Sequence, residues 1–184
     1  MVEKPTPETK DVVVSPEEYR IILGLVREPR FRDLLVMAWE SGIRPQEIRV
    51  IETRHIDFEN ARVVFPPKES KGKKVTRVVY LTREAAAILR RLVEINPTGA
   101  VFRNSEGAAW TKDATNCAFC RLPKKLGRKV HLGAFRKSWA TEALKNGVDP
   151  VTAAHLLGHR GTSMISRVYA KVQQDPKHMR DAMK

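Results

Sequence analysis

The sequence predicts an α+β domain that is mostly helical, with a small three-stranded antiparallel sheet packed against a helical bundle. Apolar residues recur at helical spacing over most of the chain, and helix-capping residues stand where these segments begin. Between Thr53 and Leu81 the pattern changes to the alternation of strands. With 184 residues the chain has the length of one domain, so we expect the sheet and the bundle to share one core.

The first third of the chain predicts a linker followed by three helices. Residues 1–14 contain prolines and no periodicity, which is typical of a linker or N-terminal tether. Ser15 is a helix N-cap, with a proline and two glutamates directly after it. The second helix is predicted over Phe31–Glu40, and a short third one from Pro45 to about Val50.

The rest of the chain predicts a sheet and then more helices. The strands carry Ile56 and Phe58, Arg62–Phe65 and Thr76–Leu81, with a turn at Glu59-Asn60 and a lysine-rich hairpin tip over residues 68–74. The helices are predicted over Thr82–Glu94, Thr111–Arg121, Gly133–Lys145, Asp149–Gly158 and Thr162–Lys171, with a tail at 176–184.

Charge is the most informative part of the composition. The formal net charge is +13 and the pI is near 10.1, which favours a polyanionic partner such as nucleic acid over a merely basic soluble protein. No stretch approaches the roughly 18 apolar residues of a membrane helix. We therefore expect a cytoplasmic protein, nucleoid-associated if bacterial. The pair Cys117 and Cys120 is expected to pack on one helix face.

Several residues have the chemistry needed to attack a phosphodiester without a metal. Arg44 and Arg136 are predicted at helix starts, where a guanidinium group can bind the non-bridging oxygens of a phosphate beside backbone N–H groups. Tyr169 offers a phenol as nucleophile. His159, just after a helix-ending glycine, can hydrogen-bond the phosphate. Taken singly, each of these residues also fits a surface, core or capping role.

In chain order these residues resemble the active-site series of the tyrosine recombinases, or phage integrase family. Gly-Ile-Arg44-Pro-Gln-Glu-Ile is similar to the first-arginine box of that family, and Phe-Arg136-Lys-Ser-Trp-Ala-Thr to the second. Ser-Lys71-Gly-Lys resembles its lysine hairpin. Leu-Leu-Gly-His159, with Tyr169 ten residues later, resembles its terminal box, in which nine is the more usual spacing. The resemblance covers roughly residues 15–175.

The resemblance implies a catalytic domain that cuts and rejoins DNA through a 3′-phosphotyrosine on Tyr169, without metal or cofactor. Lys71 is the expected general acid for the leaving 5′-hydroxyl, with two neighbouring lysines as rivals. The family commonly has a histidine three residues before the second arginine, where this chain has Gly133. His131, two residues further upstream, is a possible accessory residue. The expected DNA contacts are Lys68, Lys73, Lys74, Lys137 and Arg160.

The resemblance also implies partners. These are double-stranded DNA, further copies of the chain in a tetramer on DNA, and an N-terminal helical domain that precedes the linker and completes a clamp. Two other functions remain open from the sequence. The chain could be a catalytically silent DNA-binding domain, for which Gly133 is the argument, or an enzyme like a type IB topoisomerase.

Overall fold

The computed structural model describes residues 12–70, 74–122, 126–159 and 163–174. Within these ranges the chain has eight α-helices and three short strands, which confirms the predicted class. The helices are α1 (Pro16–Leu25), α2 (Pro29–Ser41), α3 (Pro45–Ile48), α4 (Arg83–Ile95), α5 (Lys112–Cys120), α6 (Leu132–Lys145), α7 (Pro150–Leu157) and α8 (Ser163–Gln173); the strands are β1 (Ile56–Asp57), β2 (Arg62–Phe65) and β3 (Arg77–Tyr80).

The three strands form one antiparallel sheet in the order β1-β2-β3. Val63 pairs with Val79, and both side chains are buried against the bundle. In the connection between β2 and β3, the Ser70 hydroxyl donates to the Val75 carbonyl over 2.6 Å. This bond closes the neck of the lysine-rich hairpin whose tip includes residues 71–73, which lie outside the described ranges.

The described residues form two hydrophobic clusters that meet at α6. The larger cluster surrounds α2 and joins it to the sheet, α4 and the first half of α6, including Phe135. The smaller cluster joins the second half of α6 to α7 and α8 through Leu144, Leu157 and Ile165. Arg136 therefore lies where the two clusters adjoin, directly after Phe135. None of the described helices is long and apolar enough to cross a lipid bilayer.

Most predicted boundaries differ from the observed ones by one or two residues. Helix α2 begins at Pro29, because proline fits the first helical turn, and α3 ends at Ile48 rather than near Val50. Strand β1 has only two residues, since the turn that follows it begins at Phe58.

Two expectations about packing need correction. Val14, which we placed in the linker, is fully buried, and its N–H donates to the Ser138 hydroxyl over 2.7 Å. Val12 and Val14 thus pack on the core, because burying their side chains removes apolar surface from water. Cys117 and Cys120 are both exposed free thiols rather than packed residues, because the buried face of α5 is formed by Thr115 and Phe119.

Candidate active site

Three arginines converge on the C-terminal turn of α7. The helix begins at the Asp149 cap, whose carboxylate accepts two backbone N–H bonds, and ends at Gly158 in the left-handed conformation, with φ of 65°. Its last carbonyl groups would otherwise lack partners. Leu156, Leu157 and Gly158 accept from Nη1 of Arg77 at 2.9 Å, Nη2 of Arg136 at 2.5 Å and Nη2 of Arg44 at 2.7 Å, respectively.

Arg44 is held in the joint between α2 and α3. Gly42 ends α2 in the left-handed conformation, and Pro45 starts α3, so the intervening residues have little freedom. The Arg44 guanidinium forms an ion pair with Glu47 over 2.6 Å, and its backbone N–H donates to the same carboxylate. Glu47 is only 3% exposed, so the pair is little screened by water.

Arg136 lies in the second turn of α6 and bridges two helix ends. Its Nη1 donates to the Gly42 carbonyl over 2.6 Å, while Nη2 reaches α7. Burial, and then the charges of Arg44 and Arg77, lower the pKa of Arg136 to about 9. A guanidinium with this pKa is still charged at neutral pH.

The expected surroundings of the two arginines are wrong in one respect. We placed Arg44 and Arg136 beside the N–H groups of helix starts, but their guanidinium groups bond carbonyl oxygens at the C-terminal ends of α2 and α7. Arginine has only donors, so it pairs with the end of a helix that exposes acceptors and carries negative partial charge. These bonds fix where the positive charge of the site is concentrated.

His159 follows the turn and contacts Arg136. Its Nε2 lies 3.1 Å from Nη2 of Arg136 and accepts from it, because arginine cannot accept. In the neutral ring the proton is then on Nδ1, which is buried and has no hydrogen-bond partner in the described part of the chain. Burial first, and then the charges of Arg136, Arg44 and Arg77, lower the His159 pKa to about 4. The imidazole is therefore neutral at physiological pH.

Tyr169 lies on α8, which is anchored to α6 and α7 by the buried side chains of Ile165 and Val172. Its side chain is 37% exposed. Among the described residues, no hydrogen bond joins the Tyr169 hydroxyl to His159 or to the three arginines of the α7 turn. The structure thus brings together the arginines and His159, and leaves the proposed nucleophile accessible to solvent on the neighbouring helix.

His131 lies against Gly133 at the start of α6. A Cβ atom on Gly133 would be 3.1 Å from Nδ1 of His131 and 4.0 Å from Cγ of Pro45, the residue after Arg44. The His131 ring therefore occupies space into which a side chain at position 133 would extend. Burial, and then the charge of Lys137, lower the His131 pKa, so the neutral imidazole is favoured.

The expected general acid Lys71 and the basic residues expected to contact DNA divide into two groups. Lys71, Lys73 and Arg160 lie outside the described residues. Lys68 and Lys74 are exposed on either side of the hairpin tip, and Lys137 is half-buried on α6.

An open cavity of about 430 Å³ lies between the hairpin neck and the end of α7. Arg44, Arg77 and His159 line it together with Ser70 and His155. Ser70 and Val75, which lie on either side of the hairpin tip, are therefore close to the arginine cluster. In the part of the chain that the structure describes, no three His, Cys, Asp or Glu residues are grouped so that they could hold a metal ion.

Glu47 and Arg77 are two site residues that the sequence analysis did not assign. Glu47 had a usable signal, since an arginine three residues before a glutamate on a helix start often pairs with it. Arg77 had none, because an arginine in a valine-rich strand next to four lysines is indistinguishable from the other basic residues of a hairpin. Only the packing of β3 against α7 reveals it.

The chain belongs to the Phage integrase family, whose sequence pattern matches residues 13–175. The tyrosine recombinase XerA of Pyrococcus horikoshii is 25% identical over 182 residues, which cover 96% of this chain and 62% of XerA. The tyrosine recombinase XerC of Lactobacillus delbrueckii subsp. bulgaricus is 28% identical over 150 residues, which cover 78% of this chain and 50% of XerC. The chain thus spans between half and two thirds of the length of these relatives.

Solved structures share the fold. The Tn1549 transposon integrase, in complex with circular intermediate DNA, superposes with a TM-score of 0.75 at 17% identity, covering 91% of this chain and 64% of the integrase chain. A crystal structure of XerA recombinase gives a TM-score of 0.74 at 18% identity, covering 99% and 65%. The predicted fold class is confirmed by this similarity.

Proposed function

We propose that this chain is the catalytic domain of a site-specific DNA recombinase or integrase that cuts and rejoins DNA through Tyr169. The observation that carries the proposal is the convergence of Arg44 and Arg136 with His159 on one turn of α7. Membership of the Phage integrase family supports it, as do relatives named tyrosine recombinases.

The arginine cluster fits a scissile phosphate. Arg44 and Arg136 bring two guanidinium groups to neighbouring carbonyls of α7, so we expect a phosphate bound beside this turn to contact both. Negative charge grows on the non-bridging oxygens as a nucleophile attacks phosphorus. Fixed cations in a partly buried site stabilise that charge without the reorganisation that water would need.

The cleavage step is a phosphoryl transfer to Tyr169. The phenolic oxygen forms a bond to phosphorus, the bond from phosphorus to the 5′-oxygen breaks, and a 3′-phosphotyrosine results. Lys71 donates the proton that the leaving 5′-hydroxyl takes up, with Lys73 and Lys74 as rivals. The phosphotyrosine retains the energy of the broken bond, so attack by a 5′-hydroxyl reverses the step and rejoins a strand without ATP, metal or cofactor.

His131 is our candidate for the accessory acid–base position that Gly133 leaves without a side chain. Its imidazole reaches over Gly133, and the absence of a Cβ atom there makes room for the ring. Because the His131 pKa is lowered, the neutral ring can accept the proton that Tyr169 releases. A glycine at position 133 is therefore compatible with an active enzyme as well as with a silent DNA-binding domain.

Duplex DNA is the proposed partner. Lys68, Lys73, Lys74, Lys137 and Arg160 are the proposed phosphate contacts. Solved structures with this fold include a transposon integrase and other recombinases in complex with DNA. We further propose that copies of the chain associate on DNA and that an upstream helical domain, joined through the residues before Val12, completes a clamp. We also propose that the protein is cytoplasmic, and nucleoid-associated if bacterial.

A nicked suicide substrate tests the proposal. When the 5′ fragment can diffuse away, cleavage traps a covalent protein–DNA complex, which is visible as a shifted band in denaturing gels. We expect the band with the native chain in EDTA, and no band with Tyr169→Phe, which should still bind DNA. A covalent band with the Phe variant, or strong inhibition by EDTA, would overturn the mechanism.

Strand exchange between two duplexes separates a recombinase from an enzyme like a type IB topoisomerase, which relaxes a single duplex.

A further inference from the structure

We infer that Arg77 is a positioning residue of the phosphate site, which holds Arg44 through Glu47 and holds the turn before His159 through Leu156. The inference rests on the proposed function and adds a third arginine to its site. Arg77 begins β3, three residues after the last lysine of the hairpin, and its side chain crosses from the sheet to α7.

The contacts of Arg77 define its two routes of action. Its Nη1 donates to the Leu156 carbonyl over 2.9 Å and to the Val78 carbonyl over 2.5 Å. Its Nε lies 3.5 Å from Glu47 Oε2, while the other oxygen of that carboxylate pairs with Arg44. Glu47 therefore lies between the two arginines and links the position of one to that of the other.

The deep burial of Arg77 is unusual for an arginine that has no functional role at the site. Its side chain is 5% exposed, and in the described part of the chain Nε and Nη2 have no hydrogen-bond partner. Removing a guanidinium from water and leaving donors unpaired costs free energy. Gly158 accommodates the group, because a Cβ atom there would lie 2.7 Å from Arg77 Nη1. The fold thus retains a buried charge that a methionine could replace.

Arg77 also contributes to the field at the site. Its positive charge acts on Arg136 and on His159, in both cases after burial and together with Arg44. Because Nε and Nη2 of Arg77 are shielded from solvent, the charge is poorly screened. A phosphate bound by Arg44 and Arg136 would feel it without contacting Arg77.

Two variants of Arg77 separate charge and orientation from simple packing. Arg77→Met keeps an unbranched stem and removes the charge, whereas Arg77→Lys keeps the charge. Arg62→Gln is the matched control, since it removes an arginine from β2 of the same sheet, where Arg62 pairs with Asp57. Thermal unfolding shows first that the variants are folded.

The first measurement needs no DNA. We titrate the His159 imidazole by NMR in the native chain and the variants, with His159→Gln to assign the signal. The charges that act on His159 come from Arg136 of α6, Arg44 before α3 and Arg77 of β3. Arg77→Met should raise the midpoint by roughly half a pH unit or more, while Arg77→Lys and Arg62→Gln leave it in place. An unchanged midpoint in Arg77→Met overturns the electrostatic part of the inference, whether or not the chain cleaves DNA.

The second measurement is single-turnover cleavage of the suicide substrate at saturating DNA. Arg77→Met should slow cleavage roughly tenfold or more with little change in DNA affinity, and Arg77→Lys should recover most of the rate. Glu47→Gln is a second route to the same test if Arg77→Met fails to fold, because it weakens the link and leaves all three cations in place. If native cleavage is normal and these variants are equally fast, Arg77 does not position the site. If the native chain does not cleave the substrate, the proposed function is refuted. The NMR measurement would still test the effect of Arg77 on His159.

Discussion

A Cβ atom on Gly133 would lie 3.1 Å from Nδ1 of His131, so the imidazole fills the space that the glycine leaves. We expect His131→Ala to slow cleavage, because it removes the imidazole that we propose accepts the proton of Tyr169. Gly133→His should restore much of the rate in that variant, since it supplies an imidazole from the neighbouring position. Single-turnover cleavage of the suicide substrate measures both.

Gly133→Ala is the matched control. It displaces the His131 ring without replacing it and should slow cleavage, although alanine favours the helix by up to about 1 kcal/mol. Equal rates in all variants would remove His131 from the mechanism.

Arg44→Ala and Arg136→Ala should each slow cleavage more than they weaken DNA binding. The negative charge that they stabilise increases as the transition state forms, so most of their contribution is lost from the chemical step. Rates at saturating DNA should fall roughly 100-fold or more. Dissociation constants from fluorescence anisotropy give the comparison. An alanine variant that loses only affinity, with normal cleavage at saturation, would identify its arginine as a clamp residue.

The folded chain should lose stability as the pH falls from about 6.5 toward 4, partly through His159. Its folded pKa of about 4 lies below the ordinary value of 6.5, so the unfolded state binds the proton first in this window. The contribution is fully present above pH 6.5. Urea unfolding at pH 7 and pH 4.5 measures the loss, which should be smaller in His159→Gln.

Acidic groups with lowered pKa values, such as Glu18 and Asp149, also stabilise the folded chain less as the pH falls. The native chain must therefore be compared with His159→Gln at each pH. His131→Gln controls for the other histidine with a lowered pKa. A pH dependence that is identical in the native chain and His159→Gln would mean that the partial burial of His159 and the neighbouring arginines do not lower its pKa.

DNA binding by the chain alone should be weak and should depend steeply on salt. In the clamp that we propose, this chain alone makes only part of the phosphate contacts, and each contact contributes about 0.9 to the slope of log affinity against log salt. Fluorescence anisotropy on a duplex over a salt series measures that slope. Lys74→Gln should lower the slope by about 0.9, the contribution of one phosphate contact. An added N-terminal helical domain should raise both the affinity and the slope. Tight binding of the chain to one site at physiological salt would contradict the need for that domain.

The parts of the structure that depend on neighbouring residues were predictable. Helix starts at Ser15, Thr82 and Asp149 carry capping side chains whose bonds span only two or three residues, so the sequence pattern reveals them. Arg44, Arg136 and His159 could be named because each stands in a short motif. That the three meet at one helix end is visible only in the folded chain.

The parts that depend on distant contacts were not predictable. Arg77 and Leu156 are 79 residues apart, and no local pattern connects them. The buried position of Val14 depends on Ser138 of α6, 124 residues away. Likewise, the exposure of Cys120 follows from which face of α5 meets the core.

The hydrogen bond between Val14 and Ser138 has a mechanical consequence. Ser138 lies two residues after Arg136 on α6, and its hydroxyl also donates to the Ala134 carbonyl within that helix. Arg128 holds the adjacent Val13 carbonyl. A tensile load on the chain before residue 12 would therefore pass through this attachment into the helix that carries Arg136, before it reached α1. Force applied upstream of residue 12 would therefore act on the position of Arg136, which we propose binds the scissile phosphate.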